Sequence, residues 1–186
     1  GYSSAASDVY KRQVTGTDEV TITTDTDVDG IYDMIKGFLK DYNDLVKSVD
    51  VAYNAASSKG YEPLTSDEKD AMSDDEVKKW EEKIKDSLLR KDSTLGSVLD
   101  TMKNDMAKSF KVGDKSYSLS SFGIATLGYF NSPENETGVY HIDGNKDDTY
   151  TSANTDKLKS MIASDPDTVI TFFSQLASPV SYTHLT

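Results

Sequence analysis

The chain has 186 residues, enough for one domain of ordinary size with a real core. Its 32 Asp and Glu outweigh 20 Lys and Arg, and the formal net charge of -12 repels polyanions, which argues against nucleic acid or an anionic membrane surface as the main partner. With no cysteine, it can hold no disulfide framework, thiol nucleophile or thiolate metal site.

Residues 1–13 and 179–186 show neither helical nor strand period, and they read as translated sequencing-adapter sequence appended to the protein between them. Resequencing the locus would test that expectation. Between Val14 and Thr26, Val20 and Ile22 alternate with threonines, the period of a half-buried strand that closes a β-rich region lying upstream. No charged start followed by an apolar run reads as a secretory signal. No stretch approaches the roughly 18 apolar residues of a membrane span either.

From Val28 the spacing changes to alternating threes and fours. Val28, Ile31, Ile35, Phe38, Tyr42, Leu45 and Val49 form the seam of a coiled coil or helix bundle, and Met34, Leu39 and Val46 widen it. Such a seam packs within the chain, or extends into contacts between subunits. Asp25, Asp27, Asp29 and Gly30 match the first half of a calcium loop, but the twelfth position is Lys36, a cation where a bidentate carboxylate is required. The preferred reading is a strand end followed by acidic helix capping.

Ser57 to Gly60 breaks the helix. Thr65 with Glu68, then Ser73 with Glu76, have the spacing of capping boxes, and each predicts a helix start. Val77, Trp80, Ile84 and Leu88 mark the buried stripe of the second of these helices, with Trp80 read as core. Ser93 is expected to cap a further helix through Leu95, Leu99, Met102 and Met106.

The period then shortens to that of strands. Val112 and Tyr117 flank a hairpin at Gly113–Lys115, while Leu119, Phe122 and Ile124, then Val139, Tyr140 and Ile142, read as further short strands. Asp143 to Ser152 is a polar insertion whose carboxylates read as a solvated loop. Two helices follow, one on Leu158, Met161 and Ile162, the other on Val169, Ile170, Phe173 and Leu176, with Pro166 at the first position of the second.

Chemistry is thinly represented. Of the two histidines, His184 lies in the atypical tail, and His141 alone makes neither a triad nor a metal site; it is expected on an edge strand facing water. Paired carboxylates can be drawn from this acidic chain in too many ways to point to glycoside hydrolysis. The sequon Asn135–Thr137 carries little weight outside a eukaryotic secretory route. No catalytic residue, cofactor or metal is assigned. Runs of helices followed by runs of strands predict an α+β fold: a helical bundle with coiled-coil helices and a small antiparallel sheet.

One block is more specific. Tyr61-Glu62-Pro63-Leu64-Thr65, Ala71-Met72-Ser73-Asp74-Asp75-Glu76, Lys79-Trp80-Glu81-Glu82-Lys83 and Leu88-Leu89-Arg90, together with Leu119-Ser120-Ser121-Phe122-Gly123-Ile124 and the pattern around Asp165-Pro166, closely resemble the flagellar filament cap family, hook-associated protein 2. Trp80, Ile84 and Leu88 lie at the centre of that motif. The resemblance implies that residues 28–178 are the carboxy-terminal part of a helical leg domain and residues 14–27 the last strand of a truncated head. It also implies a homo-oligomeric cap ring at the tip of an extracellular filament, reached through the flagellar type III apparatus, with flagellin, hook–filament junction proteins and an export chaperone as partners. The family has no active site to transfer. Another axial flagellar protein, either hook–filament junction or flagellin-like, and a surface adhesin or calcium-binding module remain as alternatives.

Overall fold

The computed structural model describes residues 25–178, so the expected strand from Val14 lies outside the described residues apart from Asp25 and Thr26, which have no regular structure. Helix α1 (Val28–Tyr53) is the spine. It starts where the Asp27 side chain accepts the Gly30 amide at 2.9 Å, satisfying one of the free donors of the first turn. Gly30 is needed there for a steric reason: a β-carbon at this position would lie 2.3 Å from Asp27 Oδ2. The half calcium motif is thus explained as a helix cap and the glycine that makes room for it.

Two short helices, α2 (Ser66–Asp70) and α3 (Asp74–Asp86), open on the capping boxes the sequence predicts. In each, the Glu carboxylate accepts the cap-residue amide, Thr65 N to Glu68 at 2.8 Å and Ser73 N to Glu76 at 2.9 Å, while the hydroxyl oxygen accepts the Glu amide in return. Helix α4 (Ser93–Met106) begins one residue earlier than its expected cap. Asp92, not Ser93, accepts the Leu95 amide, at 2.7 Å, because a carboxylate sits one step closer to the turn.

The strands form two separate antiparallel pairs in place of one small sheet. β1 (Phe110–Val112) and β2 (Lys115–Tyr117) make a hairpin, Phe110 opposite Tyr117, turned at Gly113 with φ +60°. β3 (Ile124–Thr126) pairs with β4 (Tyr140–Ile142) in the register Ile124 opposite Ile142. Leu119–Phe122, read as strand from its apolar residues, is a single 3-10 turn closed by Gly123 at φ +71°. Both apolar side chains still point inward, because i and i+3 share a face of such a turn as i and i+2 share one of a strand.

The chain closes with α5 (Lys157–Ser164) and α6 (Pro166–Ala177). Pro166 stands at the start of α6, where its missing amide hydrogen costs nothing, and Asp165 caps the helix. α1 packs on α4 and α5, and α6 lies over β1 and α5. The centre of the core is fully buried: Val46, Phe122, Ile124, Leu158, Ile162, Val169 and Phe172. Phe122 anchors it, its ring centroid 4.8 Å from Phe172, 5.9 Å from Phe173 and 5.7 Å from a stacked Tyr117. The fold is α+β, as the patterning implies.

Candidate assembly surface

α1 has two apolar faces that share a border. The face turned to the core is Tyr32, Ile35, Leu39, Tyr42 and Val46, and it ends at Asp50, which is 5% exposed and held by Lys103 Nζ at 3.5 Å. Of the seven seam residues, Ile35 and Tyr42 belong to this buried stripe. Val28, Ile31 and Val49 sit half-buried at its edge, packed against the core. Phe38 and Leu45 point away, 37% and 49% exposed. The core takes the neighbour of each outward residue, Leu39 next to Phe38 and Val46 next to Leu45, which stands about 100° further round the helix. The core follows the three-four spacing one position round, through Tyr32, Leu39 and Val46.

The outward face meets α6. A cavity of about 450 Å³ runs between Ile31, Met34, Ile35 and Phe38 of α1 and Val169, Ile170 and Phe173 of α6. Met34 is 73% exposed and Ile170 is 48% exposed. Contiguous exposed apolar surface of this kind marks a contact site more often than a stray surface residue does.

Trp80, Ile84 and Leu88 do not form a buried stripe. Trp80 and Ile84 are half-buried, Leu88 is 72% exposed and lies beyond the last residue of α3, and no side chain of α2 or α3 is buried. Trp80 packs locally instead, its ring centroid 4.6 Å from Tyr61 while Nε1–H donates to the Glu62 carbonyl at 2.8 Å. The helical period of these residues is real; what they cover is a small satellite cluster beside the main core.

His141 departs from its expected place. It is buried on β4, with Nδ1 2.6 Å from Asp148 Oδ2 and its ring set edge-on to Tyr150. The polar insertion that follows β4 folds back over it. Asp148 also accepts the Tyr150 amide, Thr151 Oγ1 donates to the Ile142 carbonyl at 2.7 Å, and Asp147 pairs with Lys36 of α1. That pairing, with the ammonium as hydrogen-bond donor, holds the Asp147 carboxyl below the usual carboxylate range. A second tie escaped the sequence reading: Asn43 Nδ2 donates to the Tyr140 carbonyl at 2.8 Å and Oδ1 accepts the Tyr140 amide at 2.9 Å, joining β4 to the spine. The sequence offers only a weak signal for it, a short amide side chain next to Tyr42 of the seam in a largely charged and apolar helix.

Asp29 is paired with Lys159 Nζ at 2.8 Å, and that hydrogen bond pushes the lysine's pKa up. Asp27 is engaged in capping. Among the described residues, no three His, Cys, Asp or Glu side chains come together as a metal site. No helix among them is long and apolar enough to cross a membrane.

The family described as flagellar hook-associated protein 2 C-terminus matches residues 10–182. A curated relative, flagellar hook-associated protein 2 of Halalkalibacterium halodurans, is 27% identical over 158 residues, covering 84% of this chain and 27% of its own length. The chain therefore spans about a quarter of that relative. No solved structure matches it. The family match extends over all of the described elements, from the cap of α1 to the end of α6, and the chain belongs to the flagellar hook-associated protein 2 C-terminal family.

Proposed function

We propose that this chain is the carboxy-terminal leg portion of a flagellar filament cap protein, which works by packing against copies of itself in a ring and guiding flagellin into the growing filament. The observation that carries this reading is the family match over residues 10–182. The role is structural, with no reaction assigned. Residues 28–178 are the leg and residues 14–27 the end of the head. The protein works outside the cell at the filament tip, after export by the type III apparatus with its chaperone, and meets the hook–filament junction proteins on assembly. The apolar edge of α1, with Met34, Phe38 and Leu45 exposed, supports a packing role.

The test is deletion of the full-length gene in the source bacterium. Loss of the cap should leave bare hooks and flagellin monomer in the medium. Wild-type full-length protein should restore filaments, and protein with Met34→Asp and Phe38→Asp together should not. Immunogold labelling of the tagged protein belongs at filament tips. Label along the filament or at its base would favour another axial protein, and label on the cell body away from flagella would favour an adhesin.

A further inference from the structure

We propose that residues 57–91, which include α2 and α3, form a hinged arm that swings as one unit about its two ends and opens or closes a cleft over the last turns of α1. Nothing in this inference depends on the capping role.

The arm is held together internally. The Tyr61–Trp80 ring pair, the Trp80 bond to the Glu62 carbonyl and the Lys69–Glu81 ion pair at 2.6 Å join its irregular entry segment and α2 to α3. Ser58 and Ser87 share a hydroxyl–hydroxyl bond of 2.7 Å across its base. These bonds fix the arm's shape without using the main core.

Its attachment to the body is sparse and polar. α2 and α3 bury no side chain fully, and Val77, Trp80 and Ile84 are only half-buried, so little desolvated apolar surface is available to glue them to α1. The connections concentrate at the base: Lys91 N–H donates to the Tyr53 carbonyl at 2.9 Å, and Lys91 Nζ donates to Asn54 Oδ1 at 2.6 Å while lying 4.4 Å from the centroid of the Tyr53 ring. One pivot follows the end of α1, whose C-cap is Asn54. The other is Lys91 itself, at φ +56°, an unusual backbone for a side-chain-bearing residue.

The third observation is the space between them. A cleft of about 510 Å³ lies between Val51 and Ala52 of α1, with Ala55 just beyond its end, and Lys83, Lys85 and Leu89 of the arm. The cleft is open to solvent, and across it the two surfaces lack the interlocking side chains that fix distances inside a close-packed core. Val51 is 54% exposed and Leu89 49%, so closure of the cleft has apolar surface to bury, and opening has little to lose.

Spin-label distance measurements on the full-length protein test this. The described region has no cysteine, so labels can be placed at will once any cysteine elsewhere is replaced by serine. One pair spans arm and body, Lys79→Cys with Asp100→Cys. Two control pairs stay within a unit: Asp67→Cys with Lys79→Cys in the arm, and Asp41→Cys with Asp100→Cys in the body. The expected result is a broad or two-peaked distribution for the spanning pair and narrow ones for both controls, with Lys91→Ala broadening the spanning pair alone. A spanning distribution as narrow as the controls overturns the hinge. Breadth in the arm control overturns the single unit, and a spanning pair indifferent to Lys91→Ala overturns the tether.

Discussion

The His141 imidazole and the Asp148 carboxylate lie 2.6 Å apart with side chains only 9% and 14% exposed, a polar pair enclosed by the loop that follows β4. Removing the carboxylate leaves a buried ring nitrogen without its partner, and that costs the desolvation of the group as well as the bond, about 1–3 kcal/mol. Asp148→Ala should therefore lower stability to urea by that amount, followed by far-ultraviolet circular dichroism, and should speed amide exchange in residues 143–152. Asp148→Asn, which keeps an acceptor oxygen, should cost less. An unchanged midpoint for Asp148→Ala would mean the pair contributes nothing to holding the loop.

The core makes a sharper contrast. Phe122 is fully buried against three aromatic rings, whereas Leu88, of the family motif, is 72% exposed. Phe122→Ala should cost about 3–5 kcal/mol through lost transfer energy and the cavity left behind. Leu88→Ser should stay within about 0.5 kcal/mol, as surface substitutions do. If the two changes had comparable effects on stability, the motif would have to be core in the full protein, with Leu88 covered by a segment beyond residues 25–178.

Much of this architecture was legible because the signals are local. A capping box needs only two side chains three residues apart, and Ser73 with Glu76 forms one whatever else the chain does. Pro166 begins a helix for an equally local reason. What escaped required knowing which face of an element meets the rest of the chain. His141 is a solitary polar residue in a strand by sequence, and its burial depends on Asp148 folding back over it from seven residues on. The seam of α1 names the right helix and mixes its two faces, since Ile35 and Tyr42 belong to the core while Phe38 and Leu45 do not. Trp80 carries a core-like period but packs locally on Tyr61, and α3 buries none of its side chains in the main core.

The arm should respond to acid before the core does. Glu76 accepts both the Ser73 amide and its hydroxyl, and these bonds hold its carboxyl below the usual glutamate range; Glu68 is held down in the same way by Thr65. The sign follows from linkage. A depressed folded-state pKa contributes stability that is complete above the ordinary glutamate value of about 4.3 and is lost as pH falls through the lower folded value. Trp80, the only tryptophan of the chain, lies one helical turn after Glu76 on α3 and reports the loss by fluorescence. Acid titration should show a transition below about pH 4.3, and Glu76→Gln, uncharged throughout, should flatten it. A transition that is the same in both proteins would place its origin elsewhere.

The Tyr42 hydroxyl is buried without a hydrogen-bond partner among the described residues, and its ring lies 5.8 Å from that of Tyr140. Burial pushes its pKa far above the ordinary phenol range, since no neighbour offers a donor to a phenolate. An orphaned buried hydroxyl is a cost the fold carries, of about 1–3 kcal/mol for a group wholly cut off from water. Tyr42→Phe keeps the ring that packs against Tyr140 and deletes only the unpaired group, so the substitution should be neutral or stabilising by about 1 kcal/mol, which is the reverse of the usual direction for a change at a core position. Tyr42→Ala, which also removes the ring, should cost about 3–5 kcal/mol by analogy with other aromatic truncations. Urea denaturation of the three proteins separates the terms. If Tyr42→Phe proves destabilising by 1 kcal/mol or more, the hydroxyl must have a partner in the folded protein, and a bound water or a group beyond residues 25–178 would then be the place to look for it.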